Sequence, residues 1–164
     1  MSRSVKVTVA SLEHVRGIVE THCSDVDRWQ RLIGGRTVEA SYEELSIEER
    51  WRHGGPWMSI ETCATHLNYL LTNKQYPVVA MIGDRVVGEA EMYIGEEKGP
   101  LGKTGFIDVM VVHRDYRGMG IGRLMLNRLE EIARSGGCTT LSVWPDKKSI
   151  GFYKKCGLSQ IVYR

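Results

Sequence analysis

Arg117-Gly118-Met119-Gly120-Ile121-Gly122 sets three alternate glycines behind one cation, between two very different neighbours. Before the turn runs Val109-Met110-Val111-Val112, an apolar strand-like stretch. After it, Arg123 to Arg134 carries apolar residues at helical spacing. Such a turn can do chemistry without a reactive side chain. Glycine permits close approach and positive φ. The free N–H groups of a first helical turn, backed by the helix dipole, attract an anion. The spacing therefore predicts a cradle for a phosphate or diphosphate. Arg114, Arg117, Arg123 and Arg128 gather around it in sequence, which favours a local anionic ligand over a long polyanion.

Two common phosphate binders do not fit. Gly122 is followed by Arg123-Leu124 instead of Lys and Ser/Thr, so this is not a nucleotide-triphosphate loop. The glycine spacing and the lack of an acid closing the next strand exclude a dinucleotide fingerprint.

The elements that must position this turn follow from periodicity and punctuation. Residues 5–9 alternate as a first strand, and Leu12, Val15, Ile18 and Val19 stripe a helix. Residues 25–35 read as polar and broken, and Ser41-Tyr42-Glu43-Glu44 matches a capping box. A longer helix is predicted over 60–73, capped by Ser59, with Cys63, Leu67, Leu70 and Leu71 inward. A meander follows, with strands at 77–82, 86–94 and 105–112 and a charged loop over 96–102. The glycine turn then opens a helix to Ser135, ended by Gly136-Gly137. A strand at 139–143, a short helix at 149–155 and a strand at 159–163 complete the order. The fold class is α/β, a mixed and mostly antiparallel sheet flanked by helices, with one parallel crossover. The chain ends as the last strand forms, so the sheet reads as lacking its final strand, and edge pairing in a homodimer would supply one.

At 164 residues the chain has the length of one domain. A net charge of +2 gives no argument for nucleic acid, and no stretch approaches the roughly 20 apolar residues that span a bilayer. Four scattered cysteines without a CxxC pair read as free thiols in a reducing, cytoplasmic setting. Cys63 and His66 share a helix face, but no further ligand is spaced to join them, so no metal is expected.

Arg117-x-x-Gly120-x-Gly122 resembles the Arg/Gln-x-x-Gly-x-Gly/Ala signature of the GCN5-related N-acetyltransferase superfamily. Downstream, Asp146-Lys147-Lys148-Ser149-Ile150-Gly151-Phe152-Tyr153-Lys154-Lys155-Cys156-Gly157-Leu158 resembles its second motif, with Asp146 in place of the usual Asn and Leu158 in place of Phe. The resemblance implies the acyl-CoA N-acyltransferase fold and acetyl-CoA as cofactor. By analogy, N–H groups from Arg117 through Gly118, Met119, Gly120, Ile121 and Gly122 to Arg123 hold the diphosphate. Met110, Val111 and Val112 pair with the pantetheine arm as an added strand, and Asp146 and Ser149 lie beside it. The acceptor would be an amine on a small molecule or peptide.

Direct acetyl transfer in a ternary complex needs a neutral amine, a polarised carbonyl and a proton for the leaving thiolate. The family places its tyrosine, here Tyr153, beside the sulfur as general acid. Glu89, Glu91 and Asp108 are the candidate carboxylates for the amine's proton. Alternation puts Glu89 and Glu91 on one face and Asp108 with Met110 and Val112, unless a bulge shifts the parity. His66 and His113 are further candidates. Trp29, Tyr42, Trp51 and Trp57 either wall an acceptor groove or anchor an irregular segment. A non-catalytic acyl-CoA-binding or regulatory domain is the competing function.

Overall fold

The computed structural model describes residues 4–95 and 102–158. The expected strand at 159–163 and most of the loop at 96–102 lie outside the described residues. Five strands form the main sheet, in the order β1-β4-β5-β6-β7. They are β1 (Val5–Val9), β4 (Tyr76–Ile82), β5 (Arg85–Ile94), β6 (Thr104–Val112) and β7 (Thr140–Val143). The first three pairings are antiparallel and β6 pairs β7 in parallel. This is the mixed sheet the periodicity predicts.

Helices cover both faces. On one lies α4 (Ile121–Ser135), whose Ile121, Met125, Leu126, Leu129 and Ala133 are buried against Val78, Ala80, Ala90, Met92 and Ile107. On the other lie α1 (Val15–Cys23) and α3 (Ile60–Thr72), which bury Ile18, Val19, Cys63 and Leu67 against Val79 and Val86. Burying both faces of a central strand removes polar alternation, so β4 reads as a continuous apolar run.

Gly17 sets how closely α1 approaches the sheet. A Cβ built there would lie 2.6 Å from Val86 Cγ2, so only glycine admits this contact. Gly88 does the same on the opposite face, where a Cβ would meet Met125 Cε at 3.0 Å.

Two irregularities fix the facing of β5 and β6. The register slips between Ala80 and Met81 opposite Val87, and again between Glu91 and Met92 opposite Asp108. The second places an extra residue in β6, because Glu91 pairs with Val109 and Met92 with Ile107. Simple alternation would have sent Asp108 to the Met110 side. The bulge turns it toward the α1 face instead.

The segment read as polar and broken folds into a hairpin, β2 (Gln30–Ile33) and β3 (Arg36–Glu39), closed by Gly34 and Gly35 at φ +55° and +77°. Positive φ at both central residues is the geometry of a tight two-residue hairpin turn. A short α2 (Ile47–Trp51) follows, capped by Ser46 Oγ, which accepts from Glu49 N at 3.1 Å. In α3, Leu71 is exposed, contrary to the expected inward stripe, while Cys63, Leu67 and Leu70 are buried. Ser59 holds the cap position of α3 with extended backbone but makes no side-chain cap bond.

Candidate active site

The glycine turn has the backbone its composition predicts. Gly118 and Gly120 both sit at φ +80°, and a Cβ on either would meet nothing within 4 Å. Glycine is needed there for the dihedral, not for room. Gly120 caps α4 and brings no side chain to its first-turn N–H groups. Gly122 serves packing, since a Cβ there would lie 3.0 Å from Phe152 Cζ. That contact, with Arg123 Nη2 donating to Lys155 O at 3.1 Å, fastens α5 (Ile150–Lys155) to the start of α4.

The strand leading to this turn has a free side. The parallel pairing of β6 with β7 runs only from Thr104↔Thr140 to Ile107↔Val143, whereas β6 continues to Val112. Among the described residues no strand pairs that edge over 108–112. An extended, amide-bearing arm would find a row of main-chain donors and acceptors there. Turn and edge together fit the diphosphate and pantetheine of coenzyme A.

The arginines around the turn are tied to the protein. Arg117 Nη2 meets Asp25 Oδ1 at 2.6 Å and its Nε donates to Val112 O at 3.2 Å. Arg114 pairs with Asp27, and its backbone N–H donates to Ser24 Oγ at 3.0 Å. Arg128 bonds Glu131. Two of the four arginines that gather around the turn thus strap the end of α1 to it, and Arg123 keeps its charge beside the turn with only a carbonyl as partner among the described residues.

Beside this strap opens a cleft of about 400 Å³, lined by His22, Asp25, Trp57, Asp108, Met110 and Val111 among others. Behind its His22 and Trp57 lies a buried polar network. Glu89 is fully buried and its Oε1 lies 2.6 Å from His22 Nε2. Glu91 accepts from His66 Nε2 at 2.8 Å and Trp57 Nε1 at 2.7 Å. The two carboxyl groups are within hydrogen-bonding reach of each other. Trp57 stacks on His22 with centroids 4.9 Å apart and meets His66 edge-on at 5.1 Å. The indole both pins the network and walls the cleft.

The charges in this network follow from its surroundings. Burial, then the Glu91 charge, push the Glu89 carboxyl well above the usual range, so it holds a proton. Burial also acts against ionised Glu91, but its hydrogen-bond donors outweigh that and hold it below the ordinary value. Burial lowers His22 to about 4 despite the attraction of Glu91 and Asp25, so its imidazole is neutral at neutral pH. The His22–Glu89 contact is thus a hydrogen bond between neutral groups, not an ion pair. Glu89 Oε2 has no hydrogen-bond partner among the described residues, which fits a carboxyl that carries its proton on that oxygen. Asp108, at the bulge, is raised by burial and by Glu91.

Tyr153 is buried on α5, and burial pushes its phenol up to about 12. Asp146 Oδ1 accepts from Ser149 N at 2.9 Å, and Ser149 Oγ donates to Asp146 O at 3.2 Å; the two brace the entry to α5. His113 is buried and accepts from Asp115 N through Nδ1, a role internal to the turn. Trp29 meets Tyr42 edge-on at 5.0 Å and Arg50 covers the Tyr42 ring at 3.9 Å, so these aromatics anchor the irregular segment. Trp51 is exposed.

The sequence reading missed His22. Its signal was present: it falls four residues after Ile18 and three after Val19, on the buried face of α1.

Comparison with known proteins agrees with this architecture. Over 74 residues the chain is 38% identical to the glucosamine 6-phosphate N-acetyltransferase of Trypanosoma brucei brucei, covering 44% of this chain and 50% of that protein. The match thus spans only half that relative's length. The Schizosaccharomyces pombe protein of the same name is 35% identical over 77 residues, 46% of this chain and 68% of that one. The solved glucosamine-6-phosphate N-acetyltransferase of Arabidopsis thaliana shares the fold with a TM-score of 0.66 at 18% identity, over 98% of this chain and 95% of that one. Residues 38–158 match the Acetyltransferase (GNAT) family, and the chain belongs to that family.

Proposed function

We propose that this chain is an N-acetyltransferase that moves an acetyl group from acetyl-CoA to a primary amine seated in the acidic cleft. One observation carries the reading: the edge of β6 that no strand pairs among the described residues runs from the glycine turn along the cleft lined by Asp25, Asp108 and His22, with the buried glutamates behind His22 and Trp57. Main-chain groups at Met110, Val111 and Val112 would hold the pantetheine arm, and those from Arg117 to Arg123 the diphosphate. Asp146 and Ser149 order the helix that carries Tyr153. When bound, acetyl-CoA supplies an activated acyl group as a thioester.

The chain's own groups handle protons and position. A backbone N–H at Met110 or Val111 polarises the acyl carbonyl as charge builds on its oxygen. Tyr153, kept protonated by burial, gives its proton to the departing sulfur. The carboxylates of Asp25 and Asp108 draw a cationic amine to the cleft, and its lining sets the acceptor's pose. Amino sugars head the acceptor panel, because the curated relatives act on glucosamine 6-phosphate by name. The acidic lining favours an unphosphorylated cation over a phosphate ester.

Thiol release followed by absorbance over amino sugars, polyamines, amino acids and lysine peptides tests the reading. Amine-dependent release above background hydrolysis supports it. Tight coenzyme A binding with no release for any amine would instead support a non-catalytic acyl-CoA-binding domain.

A further inference from the structure

The geometry points to His22 as the group that takes the acceptor's proton, on Nδ1, with the Glu89–Glu91 pair fixing its tautomer. This rests on the transferase reading above. His22 lines the cleft, and its Nε2 is committed to Glu89 Oε1 at 2.6 Å. Glu91 already takes donors from His66 and Trp57. The proton shared by the carboxyl pair therefore sits on Glu89, on the oxygen turned away from His22. Glu89 Oε1 is then an acceptor, His22 Nε2 carries the ring proton, and Nδ1 keeps its lone pair.

The carboxylates are poorer candidates for this step. Glu89 holds a proton and is fully buried, and Glu91 is occupied by its donors. Asp108 lines the cleft as an anion suited to attracting the amine. A neutral imidazole adds no charge that would repel an ammonium group.

The step balances simply. The acceptor's N–H bond breaks, its electron pair stays on nitrogen as the new C–N bond forms, and the proton goes to Nδ1, while the acyl carbon's bond to sulfur breaks, the electron pair leaves with sulfur, and Tyr153 gives that sulfur a proton that water later replaces. Glu89 then passes its Oε2 proton to Glu91, which leaves a carboxylate beside the new imidazolium. Loss of the Nδ1 proton to water returns both groups to their resting state. The groups facing His22 are Glu89 and Glu91 from β5, Asp25 beyond its own helix, His66 from α3 and Asp108 from β6. Glu89 and Glu91 are positioning residues here, since they act through the imidazole.

Nitrogen-15 NMR of histidine-labelled protein gives a readout independent of turnover. The expected His22 signals at pH 7 are a protonated Nε2 and a bare Nδ1, with the single tautomer lost in Glu89→Ala. A protonated Nδ1, or a charged ring at pH 7, overturns the assignment. In turnover assays His22→Gln, which can still donate to Glu89, is expected to lower kcat by about 50-fold or more with coenzyme A affinity unchanged. Asp108→Asn is expected to raise the acceptor KM more than it lowers kcat. Wild-type kcat and pH profile in His22→Gln would overturn the role of His22 alone. Absence of acetyl transfer by the wild-type protein to any amine would overturn the transferase reading and this inference together.

Discussion

Arg117, the first residue of the glycine turn, reaches Asp25 on the rim of the acidic cleft, with Nη2 and Oδ1 2.6 Å apart. The two halves of the site thus share one ion pair. Both partners are about half-exposed, so its worth to folding is small, about 0–1 kcal/mol. Asp25→Asn is therefore expected to shift the melting temperature by no more than about 4 °C. Its effect should appear in kinetics, as a raised acceptor KM and a changed coenzyme A affinity. Differential scanning fluorimetry beside steady-state rates separates the two. A large fall in melting temperature would show the strap to be structural.

Tyr153→Phe keeps the buried ring and removes the proton it holds. In the proposed mechanism kcat falls by about 10²- to 10⁴-fold, the usual range for a positioned acid. Coenzyme A affinity, measured by calorimetry, should stay within about twofold. Unchanged turnover would remove the phenol from the reaction.

Gly120 at φ +80° cannot take a side chain without backbone strain, although the space beside it is open. Gly120→Ala should cost about 1–2 kcal/mol of stability from the left-handed dihedral alone. It should also distort the first-turn N–H groups and weaken coenzyme A binding by more than about tenfold. Retained affinity would place the diphosphate elsewhere.

Glu89 makes stability depend on pH with a definite sign. Its folded carboxyl stays protonated above the usual value of 4.5, where the unfolded chain gives the proton up. The folded state is therefore progressively disfavoured as pH rises above 4.5 toward the raised folded value. Glu89→Gln removes this dependence, so the variant should gain stability relative to wild type as pH rises above 4.5. Melting temperatures across that range test it, and a parallel offset at all pH values would show that Glu89 is ionised in the fold. Neutral His22 works in the other direction. Its folded value of about 4 lies below the ordinary 6.5, so its contribution is lost as pH falls through that window.

Gly17→Ala should destabilise by about 1–3 kcal/mol through overpacking, despite the better helix propensity of alanine. The added Cβ would lie 2.6 Å from Val86 Cγ2 and push α1, with His22, off Glu89. Adding Val86→Ala should restore part of the loss, measured as a double-mutant cycle. Strict additivity would mean the two do not touch.

The sequence disclosed what depends on local pattern. The strands of the meander, the glycine turn and α4 all have buried faces or required dihedrals that leave a period or a glycine behind. The hairpin of β2 and β3 has exposed residues through most of its length, so no alternation marked it, and only Gly34-Gly35 hinted at the turn. Asp108 was placed on the wrong face by simple counting because a bulge is a tertiary adjustment between partner strands. Glu89 and Glu91 were legible as a same-face pair. Their histidine and tryptophan partners come from α1, α3 and the turn before α3, distances in sequence that no local pattern spans.

The early parting of β7 from β6 has one more outcome. In the proposed reading, what would grip an incoming amide arm along 109–112 is peptide backbone, which every residue but proline presents in full. Side chains there can drift, and the neighbouring cavity can be reshaped for a new nucleophile, while the handle for the donor persists. A sheet left unfinished on purpose is, in this sense, a socket whose contacts mutation seldom erases.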